Sequence, residues 1–525
     1  SRTRAAQHRR CLLACLPASI MPEANTTSCD LFLKSKAKAQ LQSPAGGAAR
    51  DAVRCAPIDE VWTSGRPGAE LSADGKWLAV VEAEALRVVD LSSGEEAFSL
   101  PRPSVRALAF SPRGTYLLTW EKLSEGVAEN LRLWRTADGA FVCGWAQKLL
   151  GEKWQWPALR WAADESFFAR AVSNEVHCFD GAAPSQTVAQ RLRVPGVSNF
   201  AIAPAGSPPL VATFVPEGKG APATVRLWRH GDYGEGRFLA SKTFFKAAEA
   251  QLKFSPDGQA LLVRTHVDVD TGGKSYDGAS GLMHMDASGD ASVMRLPKEG
   301  PIHDVQWAPD SSEFLALFGF SPPRACLFSG GKGHKVLHDF GDDARNTVCW
   351  APHGRSFILA GFGNLGGELS FWDRKTLRCL STVDAHMTVA FEWSPDSRAF
   401  LTAVLWPRLR VENGVKLWSP SGALLQHQPH DELTIAAWRP SPLAAFDPPG
   451  DDCFVARPSA AAKPPPKKYV PPGARGGGAA GGGGKKSLAE LAAAYEGGGS
   501  AALRSGPVVG AGEEEGAAGA RNAAK

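Results

Sequence analysis

A short phrase returns nine times along this chain: a large apolar residue, a small residue, Pro or its equivalent, and often Asp-Gly. It reads LAFSPRG around Phe110, LKFSPDG around Phe254, VQWAPDS around Trp307, VCWAPHG around Trp350 and FEWSPDS around Trp393, with weaker copies at Leu71, Trp161, Ile202 and Trp438. Successive anchors are 39 to 53 residues apart, close to the roughly 40 to 50 residues of one four-stranded propeller blade. That period constrains the fold more than any other feature.

Each phrase suits the end of a strand entering a tight turn, because Pro presets φ and Gly accepts a positive φ. An apolar run follows, such as YLLTW, ALLVRT or SFILAGF, and 18 to 31 residues beyond each of the first eight anchors comes a second marker. The second markers fall at Val89, Trp134, Phe179, Trp228, Met285, Phe328, Trp372 and Trp418, and only Trp372-Asp373 is a literal Trp-Asp pair. Segments with helical period are nearly absent. The expectation is an all-β, nine-bladed, WD-repeat-like β-propeller over residues 51–456. Its ninth anchor, at Trp438, lacks a second marker and has to borrow strands from the N-terminal part.

The net charge of +4 divides unevenly: +6 over residues 1–50, −7 over 51–456 and +5 over 457–525. A mildly acidic disc flanked by basic ends favours polyanion contact through those ends. Residues 1–50 read as a disordered leader, with Met21 as the expected start of translation. The leader's apolar run, CLLACLP, is too short to span a bilayer, and no membrane association is expected. The Arg, Ala and Ser of this stretch also suit an organelle transit peptide, but a cytoplasmic protein is the primary reading. Residues 457–525 read as a disordered, Pro/Gly-rich basic linker and tail, with one short helical candidate at 487–496. The ten cysteines contain no CxxC pair, which suits buried free thiols and a reducing compartment.

Several stretches imitate active sites. Gly361, Gly363 and Gly366 spell GxGxxG, but they stand between two strand-like runs and lack the helix whose N-terminus would meet a pyrophosphate. The stretch THVDVDTGGKS at 265–275 lacks the first Gly of a phosphate loop, and a calcium loop begun at Asp268 would place Ala279 where a bidentate acid is required. No GxSxG and no histidine-based metal pattern is present. Trp154 and Trp156, just before an anchor, suit packing. No catalytic residue, cofactor or metal is expected, and the chain reads as a binding protein, not an enzyme.

The strongest binding signal lies after the disc. Lys463, Lys467, Lys468, Arg475, Lys485 and Lys486 follow one another with no intervening acid, and Tyr469 stands among them. Such cations neutralise phosphates and release counterions, while Tyr and Arg planes stack on unpaired bases. Arg408 and Arg410, in the charged PRLRVENG loop, are further candidates for RNA or ribosome contact.

The segments SNEVHCF (173–179), KGAPATVRLW (219–228), LPKEGPIHDVQW (296–307), ILAGFGNLGGELSFWD (358–373) and PRLRVENGVKLW (407–418) go beyond generic propeller turns. Together with KKYVPPGARG (467–476), they make residues 70–475 resemble the eukaryotic translation initiation factor 2A family. The resemblance implies a nine-bladed propeller in a non-enzymatic factor. Such a factor binds the small (40S) ribosomal subunit and directs initiator methionyl-tRNA to it, codon-dependently and without GTP, for a subset of mRNAs. Other initiation factors are further implied partners. Two departures stand out: the Gly/Ala-rich end replaces the family's Lys/Glu-rich helical tail, and DAVRCAPIDEVWTSG (51–65) is a poor match to the family's disc-closing first strand. The alternative is a scaffold component of a multi-protein initiation complex, similar to the B subunit of the third eukaryotic initiation factor, whose propeller is alike.

Overall fold

The computed structural model describes residues 29–456 apart from 36–37, 45–49, 54–67, 83, 125, 149–155, 219, 246, 268–278 and 407. These residues form nine four-stranded antiparallel sheets. Blades 1 to 8 are each one continuous stretch: 69–100, 105–145, 160–193, 199–244, 249–293, 302–342, 347–384 and 390–429. Neighbouring blades approach through their first strands, so these line the central channel.

The core is not a single mass. Among the described residues, nine clusters of buried apolar side chains occur, one at each blade-to-blade interface. The second strand of blade 6, Glu313–Phe318, shows why. Phe314, Ala316 and Phe318 pack toward blade 5, whereas Leu315 and Leu317 pack toward blade 7. A strand with sheets on both sides buries both of its faces, so it reads as a continuous apolar run instead of an alternation.

The recurrent phrase is the turn after the first strand. Its anchor is the last residue of that strand in every blade except the fourth, where Ile202 lies inside the strand Asn199–Gly206. The residue four places on has a positive φ in eight copies: +68° at Gly75, +71° at Gly114 and Gly258, +73° at Gly354, +105° at Gly206, +59° at Glu165, +64° at Ser311 and +61° at Ser397. In the four copies with Ser after the anchor, the Ser hydroxyl accepts the amide at or just before the start of the next strand: Trp77 to Ser72 (2.8 Å), Tyr116 to Ser111 (2.9 Å), Ala260 to Ser255 (2.9 Å) and Ala399 to Ser394 (2.9 Å). Anchor tryptophans also tie blades together. Trp307 Nε1 donates to the Lys253 carbonyl (3.0 Å), Trp393 Nε1 to that of Cys349 (3.2 Å) and Trp438 Nε1 to that of Glu392 (3.3 Å). Each acceptor is the residue just before the preceding blade's anchor.

Blade 9 closes the ring. Its inner strand is Leu433–Trp438, and its other three strands are Leu31–Ser35, Ala39–Gln42 and Arg50–Val53. Leu31 pairs with Trp438 and Leu33 with Ala436, while Leu31 and Leu33 enter the interface with blade 8 and Phe32 the interface with blade 1. This corrects the boundary expected at residue 51. The stretch from Cys29 onward is blade structure, because among the described residues it is Leu31–Ser35 that pairs with the edge of Leu433–Trp438. Strand borrowing occurs as expected, with the borrowed strands lying mostly upstream of the 51–65 segment.

Candidate nucleic-acid interface

Antiparallel blades sort their connections onto two faces. Turns joining first to second and third to fourth strands share one face with the anchor phrases. Second-to-third connections and the links between blades share the other. Arg408 and Arg410 lie on the second face, both exposed, in the 405–413 loop of blade 8. The loop is held from within: the Leu409 amide donates to the Leu405 carbonyl (3.1 Å), and Asn413 Nδ2 donates to the Leu409 carbonyl (2.8 Å).

Lys463, Lys467, Lys468, Tyr469, Arg475, Lys485 and Lys486 lie outside the described residues, as do the rest of the 457–525 stretch and the helical candidate at 487–496. What is described is the chain leading up to them. After Trp438 it crosses the anchor-turn face of blades 8 and 7 as a strap with two short 3₁₀ turns, Leu443–Ala445 and Asp451–Phe454. His353 Nε2 donates to the Phe446 carbonyl (3.2 Å), which leaves Nδ1 facing the Ser397 hydroxyl (2.9 Å). Arg355 holds Asp451 through Nη1 (2.8 Å), and its guanidinium covers the ring of Phe454 at 4.6 Å. Phe454 itself is buried among Phe371, Trp393 and Trp418. Described chain therefore ends on the face opposite Arg408 and Arg410.

Arg355 also binds Asp373, the acid of the Trp-Asp pair, through Nε (2.6 Å). Burial pushes the Asp373 carboxyl up, but hydrogen bonds from Arg355, Thr376 and the Lys375 amide outweigh it and hold the group below the usual carboxylate range. Asp373 is thus a structural anion at the foot of the strap.

Beside the Arg408–Arg410 loop, a cleft of about 400 Å³ opens between blades 7 and 8. Phe400 and Trp418 belong to the buried apolar cluster shared by the same two blades. Above them, on the same side of blade 8, stand Thr402, Lys416 and His427, which the strand register places opposite one another. Thr402 Oγ1 accepts Trp418 Nε1 (2.9 Å). The lip carries His386 and Glu412, 3.4 Å apart. Lys416 belongs to the run VKLWS at the Trp418 marker, and that local context does not single it out as a binding residue. The available signal is comparative: Arg, Lys or His stands two places before the second marker in five blades.

Gly361 to Gly367 join the strands Ser356–Ala360 and Glu368–Asp373, and the Gly361 amide donates to the Glu368 carbonyl (2.9 Å). GxGxxG is a hairpin here. Most of 265–275, and Trp154, lie outside the described residues. Trp156 packs between blades 2 and 3 and donates through Nε1 to the Leu108 carbonyl (3.0 Å). Cys29, Cys143, Cys178 and Cys326 are buried free thiols, and burial pushes Cys143 up to about 12. Among the described residues no His, Cys, Asp and Glu group could hold a metal, and no helix is long and apolar enough to cross a membrane.

Nine four-stranded blades, the last closed by strands from both ends of the described chain, define a WD-like β-propeller. Residues 242–436 match the family model described as eukaryotic translation initiation factor eIF2A. The chain is 36% identical over 375 residues to eukaryotic translation initiation factor 2A of Dictyostelium discoideum, covering 71% of this chain and 60% of that protein. It is 38% identical over 378 residues to the Schizosaccharomyces pombe protein of the same name, covering 71% and 64%. A solved structure titled as a crystal structure of the eukaryotic initiation factor superposes with a TM-score of 0.70 at 34% identity, covering 79% of this chain and all of that one. Likeness to the B subunit of eukaryotic translation initiation factor 3 from Xenopus laevis is weaker, 26% identity covering 71% of this chain and 53% of that protein. The chain belongs to the eukaryotic translation initiation factor 2A family, and its match spans about three fifths of the length of these family relatives.

Proposed function

We propose that this chain acts in the cytoplasm as a non-enzymatic initiation factor. It binds the small ribosomal subunit and directs initiator methionyl-tRNA to it, in a codon-dependent and GTP-independent manner, for a subset of mRNAs. Family membership across the propeller carries this reading. Two observations support it. The dinucleotide-loop look-alike at Gly361 is a hairpin joining two strands, which suits a factor whose role is binding. The chain also supplies two cation sets suited to phosphates, Lys463 to Lys486 and Arg408 with Arg410. Scaffold activity like that of the third factor's B subunit has the weaker likeness and no separate observation in its favour.

Sedimentation of tagged protein through gradients that resolve small subunits tests the reading, with and without residues 457–525. Co-migration with small subunits at low salt that weakens as salt rises is expected. Absence from those fractions at low salt would refute it.

A further inference from the structure

The position two residues before the second marker holds Arg, Lys or His in five blades, and its surroundings differ from blade to blade. Arg87 is paired with Glu96 (2.6 Å) and Glu82 (3.2 Å), Arg132 with Glu121 (3.0 Å), and His177 lies against Glu175 (2.8 Å). Arg226 faces the ring of Phe238 at 5.6 Å. Lys416 is half-buried and makes no ion pair or hydrogen bond among the described residues.

A partly desolvated ammonium without a counter-charge is unfavourable unless something supplies that charge. Around Lys416 the supplier would come from outside, because the residue opens into the cleft instead of onto a carboxylate. At about 400 Å³ the cleft falls in the range of about 300 to 1,000 Å³ usual for ligand sites. Its other donors converge with Lys416: the Thr402 hydroxyl, whose oxygen already accepts Trp418 Nε1, and the imidazole of His427. The carboxylate of the lining, Glu412, is 67% exposed and sits against His386. One wall continues into the loop that carries Arg408 and Arg410, both exposed.

We propose that the cleft between blades 7 and 8 seats one phosphodiester of single-stranded RNA on Lys416, Thr402 and His427, with the adjoining backbone following Arg410 and Arg408. The proposal rests on the RNA-linked reading above and deepens it, assigning RNA to the face opposite the anchor turns. The Arg pair marks an extended polyanion, since a free phosphate would use the cleft alone.

The test is anisotropy of dye-labelled oligouridylate titrated with the full chain, comparing wild type, Lys416→Gln, Lys416→Arg and Arg408→Gln with Arg410→Gln, over a salt series. Lys416→Gln should weaken binding roughly tenfold, as for one lost charge-assisted hydrogen bond. It should also make the slope of log affinity against log salt less steep by about 0.7, as for one phosphate. Lys416→Arg should retain most of the affinity, and the Arg pair should lose affinity and slope together. Unchanged affinity and slope for Lys416→Gln at an unchanged melting midpoint overturns the proposal. So does displacement of the oligonucleotide by uridine monophosphate, inorganic phosphate or polyglutamate as readily as by unlabelled RNA at matched charge. Small-subunit sedimentation of the same proteins separates the two levels. Wild type that fails to sediment refutes the broader function, whereas wild type that sediments and an unaffected Lys416→Gln titration refute the cleft alone.

Discussion

Ser311 Oγ accepts the backbone amide of Asp257 at 3.0 Å, tying the anchor turn of blade 6 to that of blade 5. The same link joins Glu165 to Arg113 (2.7 Å) and Ser397 to His353 (3.0 Å). In all three, the turn position with positive φ holds a residue other than Gly. A side chain there brings backbone strain of about 1 to 2 kcal/mol, and a bond to the neighbouring blade offsets part of it.

Ser311→Ala therefore loses the link and keeps the strain, an expected loss of roughly 1 kcal/mol. Ser311→Gly loses the same link and relieves the strain, so it should melt above Ser311→Ala. Calorimetric midpoints of the two variants check this, and an Ala variant as stable as wild type rules out the link as a stabilising contact.

Gly75 and Gly94 both have positive φ, +68° and +76°, but a Cβ on Gly75 would collide with the Pro440 carbonyl oxygen while one on Gly94 would meet nothing within 4 Å. The Gly75 carbonyl also accepts Arg439 Nε (2.7 Å), at the junction of blades 9 and 1. Gly75→Ala should destabilise the ring by several kcal/mol, against about 1 kcal/mol for Gly94→Ala. Equal melting of the two would show that the closure tolerates the displacement.

Phe32 is 1% exposed at the interface of blades 9 and 1. Phe32→Ala is expected to lower stability by about 3 to 5 kcal/mol. Removing residues 1–53 should be worse, leaving Leu433–Trp438 with a bare edge and promoting aggregation. Size-exclusion chromatography reads that outcome directly. Removing residues 1–28 leaves every described contact intact and should leave the elution volume of a folded monomeric disc.

His284 in blade 5 is 2% exposed, its ring 4.3 Å from that of His334. Burial, assisted by His334, pulls its pKa down to about 4, with Asp286 and Asp290 acting in the opposite sense. Between the ordinary value near 6.5 and about 4 the unfolded chain binds the extra proton, so stability falls as pH falls through that window, by up to roughly 3 kcal/mol. Chemical denaturation of wild type and His284→Leu at pH 7, 5.5 and 4 tests the sign. The variant should show the flatter profile.

Lys467→Ala with Lys468→Ala should weaken binding to single-stranded RNA and flatten its salt dependence by about 1.4 in the log–log slope, as for two phosphates. The melting midpoint of the disc should not move. Unchanged affinity at matched salt would remove this pair from the binding surface.

The blade count was legible because its signals are local. Pro, Asp-Gly and the flanking apolar residues set a strand-end turn by their own backbone preferences, wherever the chain places them. Even Glu165, Ser311 and Ser397 kept the register without Gly, since the surrounding phrase determines the turn. The closing strands were not legible by the same means. LFLKS and AQLQ are short and carry Lys34 and Gln40, both buried, so neither shows a clean alternation. They are strands because Leu433–Trp438, some 400 residues later, offers them an edge.

Lys416 shows the same division. Its local setting, VKLW, is nearly that of Arg132 in LRLW and Arg226 in VRLW, and nothing within the repeat distinguishes the three. Arg132 meets Glu121 from the neighbouring strand, Arg226 meets Phe238, and Lys416 faces a cleft. By itself the sequence determined the nine-blade period, the turns and the family, all of which follow from short-range backbone chemistry and residue identity. Tertiary structure alone decided which segment seals the ring, which face the strap crosses and which of these cations opens into a cleft, because each depends on what distant strands bring within a few ångströms.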